Sequence, residues 1–261
     1  MTELSMDIRD GVARITINRP EVMNAMRSEM WPGLGDLVRQ VEHDSAVRCV
    51  LITGAGQHFC SGGDVREFST TLDMTAEERA THWMKNADDT NFHLFAVLER
   101  IPQPVVVSLR GVAAGGGMSL VAAADLAIAS ETARIHAAQI KIGAIPDSCA
   151  AYNFVRHFAI KRAKQYGFLG EPMDAHTALE LGLVNWVVPD DELEARTEEL
   201  VKKLAAMPRV ALARTKALMN SAHRQTLAEY AVQESLDVGA CVRENDYVEN
   251  VRRFVTKAGK K

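Results

Sequence analysis

Two apolar, β-branched runs each lead straight into glycine-rich chain, and that repetition constrains the fold more than any other feature. Val47 to Thr53 (VRCVLIT) continues into a loop that runs from Gly54 to Asp64 and ends Cys60-Ser61-Gly62-Gly63-Asp64. Val105 to Leu109 (VVVSL) continues into Gly111-Val112-Ala113-Ala114-Gly115-Gly116-Gly117. Short apolar runs of this kind are strands covered on both faces, as in parallel sheets flanked by helices. Glycine directly after such a strand lets backbone N–H groups approach a ligand, and a helix starting behind it adds the positive end of its dipole. The expectation is an α/β core with two backbone donor sites.

The flanking segments fit that plan. Asp10-Gly11 is a hairpin turn, with Val12, Ile15 and Ile17 in its second strand. Met26 to Asp44 reads as helix, with Pro32 near its start. Thr75 with Glu78 forms a capping box for a helix reaching about Asn91. Small residues from Ser119 to Ala124 predict a tightly packed helix, and Leu126 to Ala129 a short strand. Beyond Pro146 helical patterns dominate, with a start at Asp191/Glu194 and a long amphipathic helix over Thr226 to Val242.

Several chemistries fail on spacing. In Gly54-Ala55-Gly56, Phe59 occupies the place of the third glycine of a dinucleotide loop, and neither glycine segment carries GK[ST]. Gly117-Met118-Ser119-Leu120-Val121 begins like a nucleophile elbow but lacks the closing glycine. The histidines have no HxH or HxxxH spacing and the four cysteines no CxxC, so no metal site is expected and the thiols read as reduced. A net charge of −4 argues against nucleic-acid and anionic-membrane partners. The opening MTELSMDIRD has neither a signal core nor a transit pattern, and the apolar run Val112 to Ala124 is too short for a bilayer, so a cytoplasmic location is expected.

Arg19-Pro20 with Asn24-Ala25-Met26, the Phe59 to Asp64 segment, Gly111 to Gly117, Ile142 to Asp147, and Ala178 to Val184 together resemble the enoyl-CoA hydratase/isomerase (crotonase) family. The likeness runs in order over nearly the whole chain. It implies a crotonase-like spiral of ββα turns over residues 1–190, carrying an acyl-CoA site, and a helical C-terminal trimerisation region over residues 191–261. It further implies a homotrimer or dimer of trimers and an acyl-CoA thioester substrate. No cofactor is implied, CoA being part of the substrate.

The same resemblance assigns roles. Gly63 and Gly116 align with the oxyanion donors; Gly62, Gly115 and Gly117 read as glycines kept for packing. Ser61, Asp64, Arg66, Phe254 and Lys257 fall at substrate-binding positions, Arg66 resembling a basic residue near the CoA phosphates, or else a solvated surface charge, and the last two a pair that reaches a neighbouring subunit's CoA. The Asp64 carboxylate also reads as a cap on the helix that opens behind the first glycine loop. Two positions depart from the hydratase pattern. Where hydratases carry glutamates, this chain has Ser119 and Gln139. An alcohol and an amide cannot exchange protons usefully near neutral pH. Asp147 aligns with the aspartate of the dienoyl-CoA and ring-epoxide isomerase branch. A lone buried carboxylate, its pKa raised, would suit a 1,3-proton shift. Asp147 could instead cap a helix starting near Ser148. A single-carboxylate hydratase and a non-catalytic acyl-CoA binder remain alternatives. Cys149, Tyr152, Trp83, Met84 and Phe92 are candidates for the acyl pocket or for packing, and His136 for a neutral packed histidine.

Overall fold

The computed structural model describes residues 2–258. Strands β1 (Leu4–Arg9) and β2 (Val12–Ile17) form the expected hairpin, with Asp10 at φ 53 and Gly11 at φ 73. Two successive positive φ values give a type I′ turn, which matches the strand twist. Helix α1 (Met30–Glu42) starts four residues later than the pattern predicts. Met26 is drawn into a bridge with the first glycine loop: its N–H donates to Gly62 O at 2.8 Å and its carbonyl accepts from Asp64 N at 2.9 Å.

Strand β3 (Cys49–Gly54) runs parallel to β2. Helices α2 (Val65–Thr70) and α3 (Ala76–Thr90) follow, the latter opened by the Thr75/Glu78 capping box. A π-helical segment (Asn91–Phe95) joins α3 to α4 (Ala96–Arg100). Strand β4 (Val105–Leu109), short strand β5 (Val112–Ala114), helix α5 (Gly116–Ala123), β6 (Leu126–Ser130) and β7 (Arg134–His136) complete the half that the sequence marks most clearly. Helices α6 (Ala150–His157) and α7 (Ile160–Leu169), strand β8 (Met173–Asp174), helix α8 (Ala175–Glu180) and strand β9 (Trp186–Val188) come next. The chain then continues through α9 (Leu193–Ala205), α10 (Arg209–Ser221), α11 (Leu227–Val242) and α12 (Asn245–Ala258).

Strand order in the larger sheet is β1-β2-β3-β4-β6-β9, and β5-β7-β8 forms a second sheet. From β2 onward the larger sheet is parallel, so each new strand is reached by a crossover, through helix alone before β3 and β4 and through the small sheet as well before β6 and β9. This is the spiral of ββα turns. The glycine segments leave the ends of β3 and β4, neighbouring parallel strands, and so emerge side by side.

The main core lies between the sheet and α1, where Leu34, Val38 and Val41 meet Ile15, Ile52 and Val107. The opposite sheet face is covered by α9: Val201 packs with Val12, Cys49, Leu51 and Val106. Arg14 of β2 reinforces this contact, its Nε 3.2 Å and Nη2 2.7 Å from the two carboxylate oxygens of Glu198. The spiral's core thus extends past residue 190, where the sequence placed its end. Two further departures have local causes. The start at Asp191 is a 3-10 turn (Asp190–Glu192) before α9, and β8 and β9 are too short to give a periodic signal.

Candidate active site

The first glycine loop is held by its own motif residues. Arg19 donates through Nη1 to Ala25 O at 2.6 Å and to Asp64 Oδ2 at 3.0 Å. Asn24, fully buried and at φ 56, donates to Ala55 O at 2.8 Å and His58 O at 2.6 Å, closing the turn over the loop. Ser61 is tied down as well, its N–H to Met23 O at 3.0 Å and its hydroxyl to Val22 O at 3.4 Å.

The two glycine loops touch. Cys60 N donates to Val112 O at 3.1 Å and Ala114 N to Cys60 O at 2.9 Å. Contact this close leaves no room for side chains. A Cβ on Gly62, which sits at φ 99, would lie 2.9 Å from Ala114 O, and one on Gly117 would lie 2.2 Å from Cys60 O. Those glycines serve packing, as expected. Gly63 and Gly116 differ: among the described residues, neither N–H has an acceptor within the chain. Gly116 opens α5, whose first N–H groups are free for geometric reasons. Two unengaged backbone donors on touching loops are suited to a carbonyl oxygen that gains negative charge.

Asp64 is committed inside the protein as the expected cap of the helix behind the loop, which engages the carboxylate that the resemblance places among substrate-binding residues. Besides its pair with Arg19, Oδ1 accepts from Arg66 N at 3.1 Å, capping α2. Burial pushes its carboxyl up, but the Arg66 N–H and the Arg19 guanidinium outweigh that and hold it below the ordinary range. A depressed folded-state pKa contributes stability that is complete above about pH 4 and disappears as pH falls through the depressed value. Asp64→Asn is therefore less stable than wild type to urea at pH 7, and the gap narrows below about pH 4. A gap of constant size across that range would remove the ion pair as its source.

Asp147 follows a 3-10 turn (Ala138–Ile142) that carries Gln139. Its Oδ1 accepts from Gln139 Nε2 at 3.0 Å and from Ser148 Oγ at 3.3 Å; among the described residues no donor reaches Oδ2. Its backbone carbonyl is held by Ala150 N at 3.0 Å and by Ser119 Oγ at 3.3 Å. The two residues found where hydratases carry glutamates therefore both contact Asp147. The helix-cap reading fails: α6 begins at Ala150 behind Cys149, with no side-chain cap. Expected burial fails too, because Asp147 is exposed in the protomer.

The remaining candidates divide. Arg66 is exposed, and Phe254 is 77% exposed on α12. Lys257 lies in α12, but its side chain falls outside the described residues. Trp83 packs edge-on against Phe68 at 5.0 Å and donates to Thr71 Oγ1 at 3.3 Å, whereas Met84 and Phe92 are exposed. Cys149 is half-buried and its thiol contacts Asn91 Oδ1 at 3.6 Å. Tyr152 is exposed and accepts from Arg156 at 2.7 Å and Arg224 at 3.1 Å. Burial and the nearby Lys141 ammonium push the His136 imidazole below its ordinary pKa, which favours the neutral ring. Cys60, directly before the glycine pair, is no nucleophile, since burial pushes its thiol up to about 12. Sequence reasoning missed the contact between Gln139 and Asp147, because only the 3-10 turn folds one back onto the other.

The sequence profile of the Enoyl-CoA hydratase/isomerase family matches residues 7–260. The chain is 33% identical over 250 residues to the 1,2-epoxyphenylacetyl-CoA isomerase of Escherichia coli, covering 96% of this chain and 94% of that one. It is 30% identical over 247 residues to the short-chain-enoyl-CoA hydratase of Clostridium acetobutylicum, covering 94% and 92%. The crystal structure of an enoyl-CoA hydratase from Mycobacterium smegmatis superposes with a TM-score of 0.88 at 28% identity, over 98% of this chain and 97% of that one.

Proposed function

The chain belongs to the enoyl-CoA hydratase/isomerase family, and from that premise we propose that it is an acyl-CoA isomerase working by a 1,3-proton shift. Asp147 Oδ2 takes a proton from one carbon of the acyl chain, and the electron pair moves onto the thioester oxygen as an enolate. The Gly63 and Gly116 amides hold that oxygen; one such donor is typically worth roughly 3–4 kcal/mol. Asp147 then returns the same proton at the second carbon, so the product is an isomer and nothing is oxidised, reduced or hydrated. The chemistry calls on no cofactor beyond the CoA carried by the substrate.

The observation that carries this reading is the carboxylate of Asp147, anchored through Oδ1 with Oδ2 free, beside a serine and a glutamine at positions 119 and 139. One carboxylate suffices to lift and return a proton, whereas hydration also needs a water activated and oriented. Arg66, with Phe254 and Lys257, would meet the CoA portion. The last two lie on α12, and the exposed apolar residues Leu227, Leu236, Val251 and Phe254 of α11 and α12 suit burial in a homotrimer or dimer of trimers in the cytoplasm.

The likeness to a hydratase keeps a single-carboxylate hydratase as the second reading, and one experiment separates the two. With a 3-enoyl-CoA the isomerase raises conjugated-thioester absorbance, and in D2O it leaves deuterium in the product to the extent that the carboxyl proton exchanges. With crotonyl-CoA it leaves the absorbance unchanged. Loss of crotonyl-CoA absorbance without isomerisation of the 3-enoyl ester would transfer the assignment to hydration.

A further inference from the structure

We infer that Gln139 is a positioning residue, whose amide fixes Oδ1 of Asp147 and so leaves Oδ2 as the oxygen that moves the proton. The inference rests on Asp147 being the proton carrier. Three observations support it. The first is the contact itself, 3.0 Å from Nε2 to Oδ1. The second is the other end of the same amide: Oε1 is buried and has no partner. An enclosed acceptor without a donor is unfavourable. Turning the amide over would set Oε1 against a carboxylate oxygen, which is worse. Gln139 thus keeps an unsatisfied oxygen in order to present its N–H groups to Asp147.

The third observation is the backbone that bears the carboxylate. Ser148 at φ 54 and Cys149 at φ 58 are successive non-glycine residues in the left-handed region. That conformation is strained for any side chain with a Cβ and persists only where its surroundings enforce it. The enforcement comes from Ser119 of α5 and Ala150 of α6, which hold the Asp147 carbonyl, and from Gln139, which holds the side chain. Gln139 also lies against the second glycine loop, its Cδ 3.7 Å from where a Cβ of Gly115 would stand. One side chain therefore ties the proposed base to the proposed oxyanion donors. Distances between those groups decide the proton transfer, and a displacement of about 1 Å can cost roughly 100-fold in rate.

Gln139→Met keeps the length of the side chain and removes both the donor and the orphaned acceptor. Asp147 is exposed, so water replaces the lost hydrogen bond, and relief of the buried oxygen favours the folded state. The expected result is a kcat lowered about 10- to 100-fold, with KM for the CoA ester within about twofold. Tm stays unchanged or rises by about 2–4 °C. A residue that only maintained structure would give the opposite signature: a lower Tm, with KM raised as kcat falls. That signature, or an unchanged kcat, overturns the inference. Gln139→Leu measured in parallel guards against a misfit peculiar to methionine. Asp147→Asn keeps the two questions apart. If that variant is inactive while Gln139→Met is fully active, the positioning role falls and the isomerase reading stands; if Asp147→Asn is fully active, both fall.

Discussion

Asp147→Asn lowers kcat for the isomerised CoA ester by about 10²–10⁴-fold, the usual contribution of one general acid–base group, and leaves KM nearly unchanged. The substitution is nearly isosteric. Asn can still accept from Gln139 Nε2 and from Ser148 Oγ through its carbonyl oxygen, so the loop keeps its hydrogen bonds. What disappears is the free oxygen: Oδ2 becomes an NH2 group, which can neither remove a proton from carbon nor return one. The backbone amides of Gly63 and Gly116 survive the change, so binding of the thioester and polarisation of its carbonyl persist, and residual catalysis of that origin is expected. Steady-state kinetics on a 3-enoyl-CoA give the answer directly. Turnover within threefold of wild type would take Asp147 out of the chemistry and leave the family assignment without this mechanism.

The parts of the site that were legible in the sequence are those made by consecutive residues. Glycine directly after a β-branched run is a local signal, and both loops sit where that signal put them, on neighbouring parallel strands. The Asp10-Gly11 turn and the Thr75/Glu78 capping box were equally local and formed where expected. The start of α1 was misplaced because Met26 bonds to Gly62 and Asp64, a contact between segments that no periodicity in either one records. The cap that Asp64 places on α2 was legible because it joins residues two apart, whereas its pairing with Arg19, 45 residues away, was not. Exposure was misjudged for Asp147 because it depends on packing around a loop whose two left-handed residues are serine and cysteine, neither of which announces such a turn. Gln139 read as an absence, a glutamate missing. Its contribution as a donor to Asp147 is visible only once the 3-10 turn brings the two together.

The largest expected effect on stability lies away from the site, at Lys216. This residue of α10 is buried, and its ammonium has three hydrogens and three acceptors: Asp125 Oδ2 at 2.7 Å, Leu98 O at 2.9 Å and Gln103 O at 3.2 Å. Asp125 also accepts from Val105 N at 2.7 Å, so the pair connects α10 to the end of α4 and the starts of β4 and β6. Burial pushes the lysine down and the aspartate up, each toward its neutral form, and their mutual attraction opposes both shifts. Such a pair adds little over a well-packed apolar substitute, yet breaking it from one side is costly, because the other charge is left without a partner. Lys216→Met is therefore expected to lower the unfolding free energy by about 3–5 kcal/mol. Adding Asp125→Asn to that variant removes the stranded charge while an amide oxygen still accepts from Val105 N–H, so the double variant recovers a large part of the loss. Urea unfolding of wild type, both single variants and the double variant closes the cycle. Simple additivity of the two single losses would mean that Lys216 and Asp125 act independently, and the helix would have to be held by its two carbonyl contacts instead.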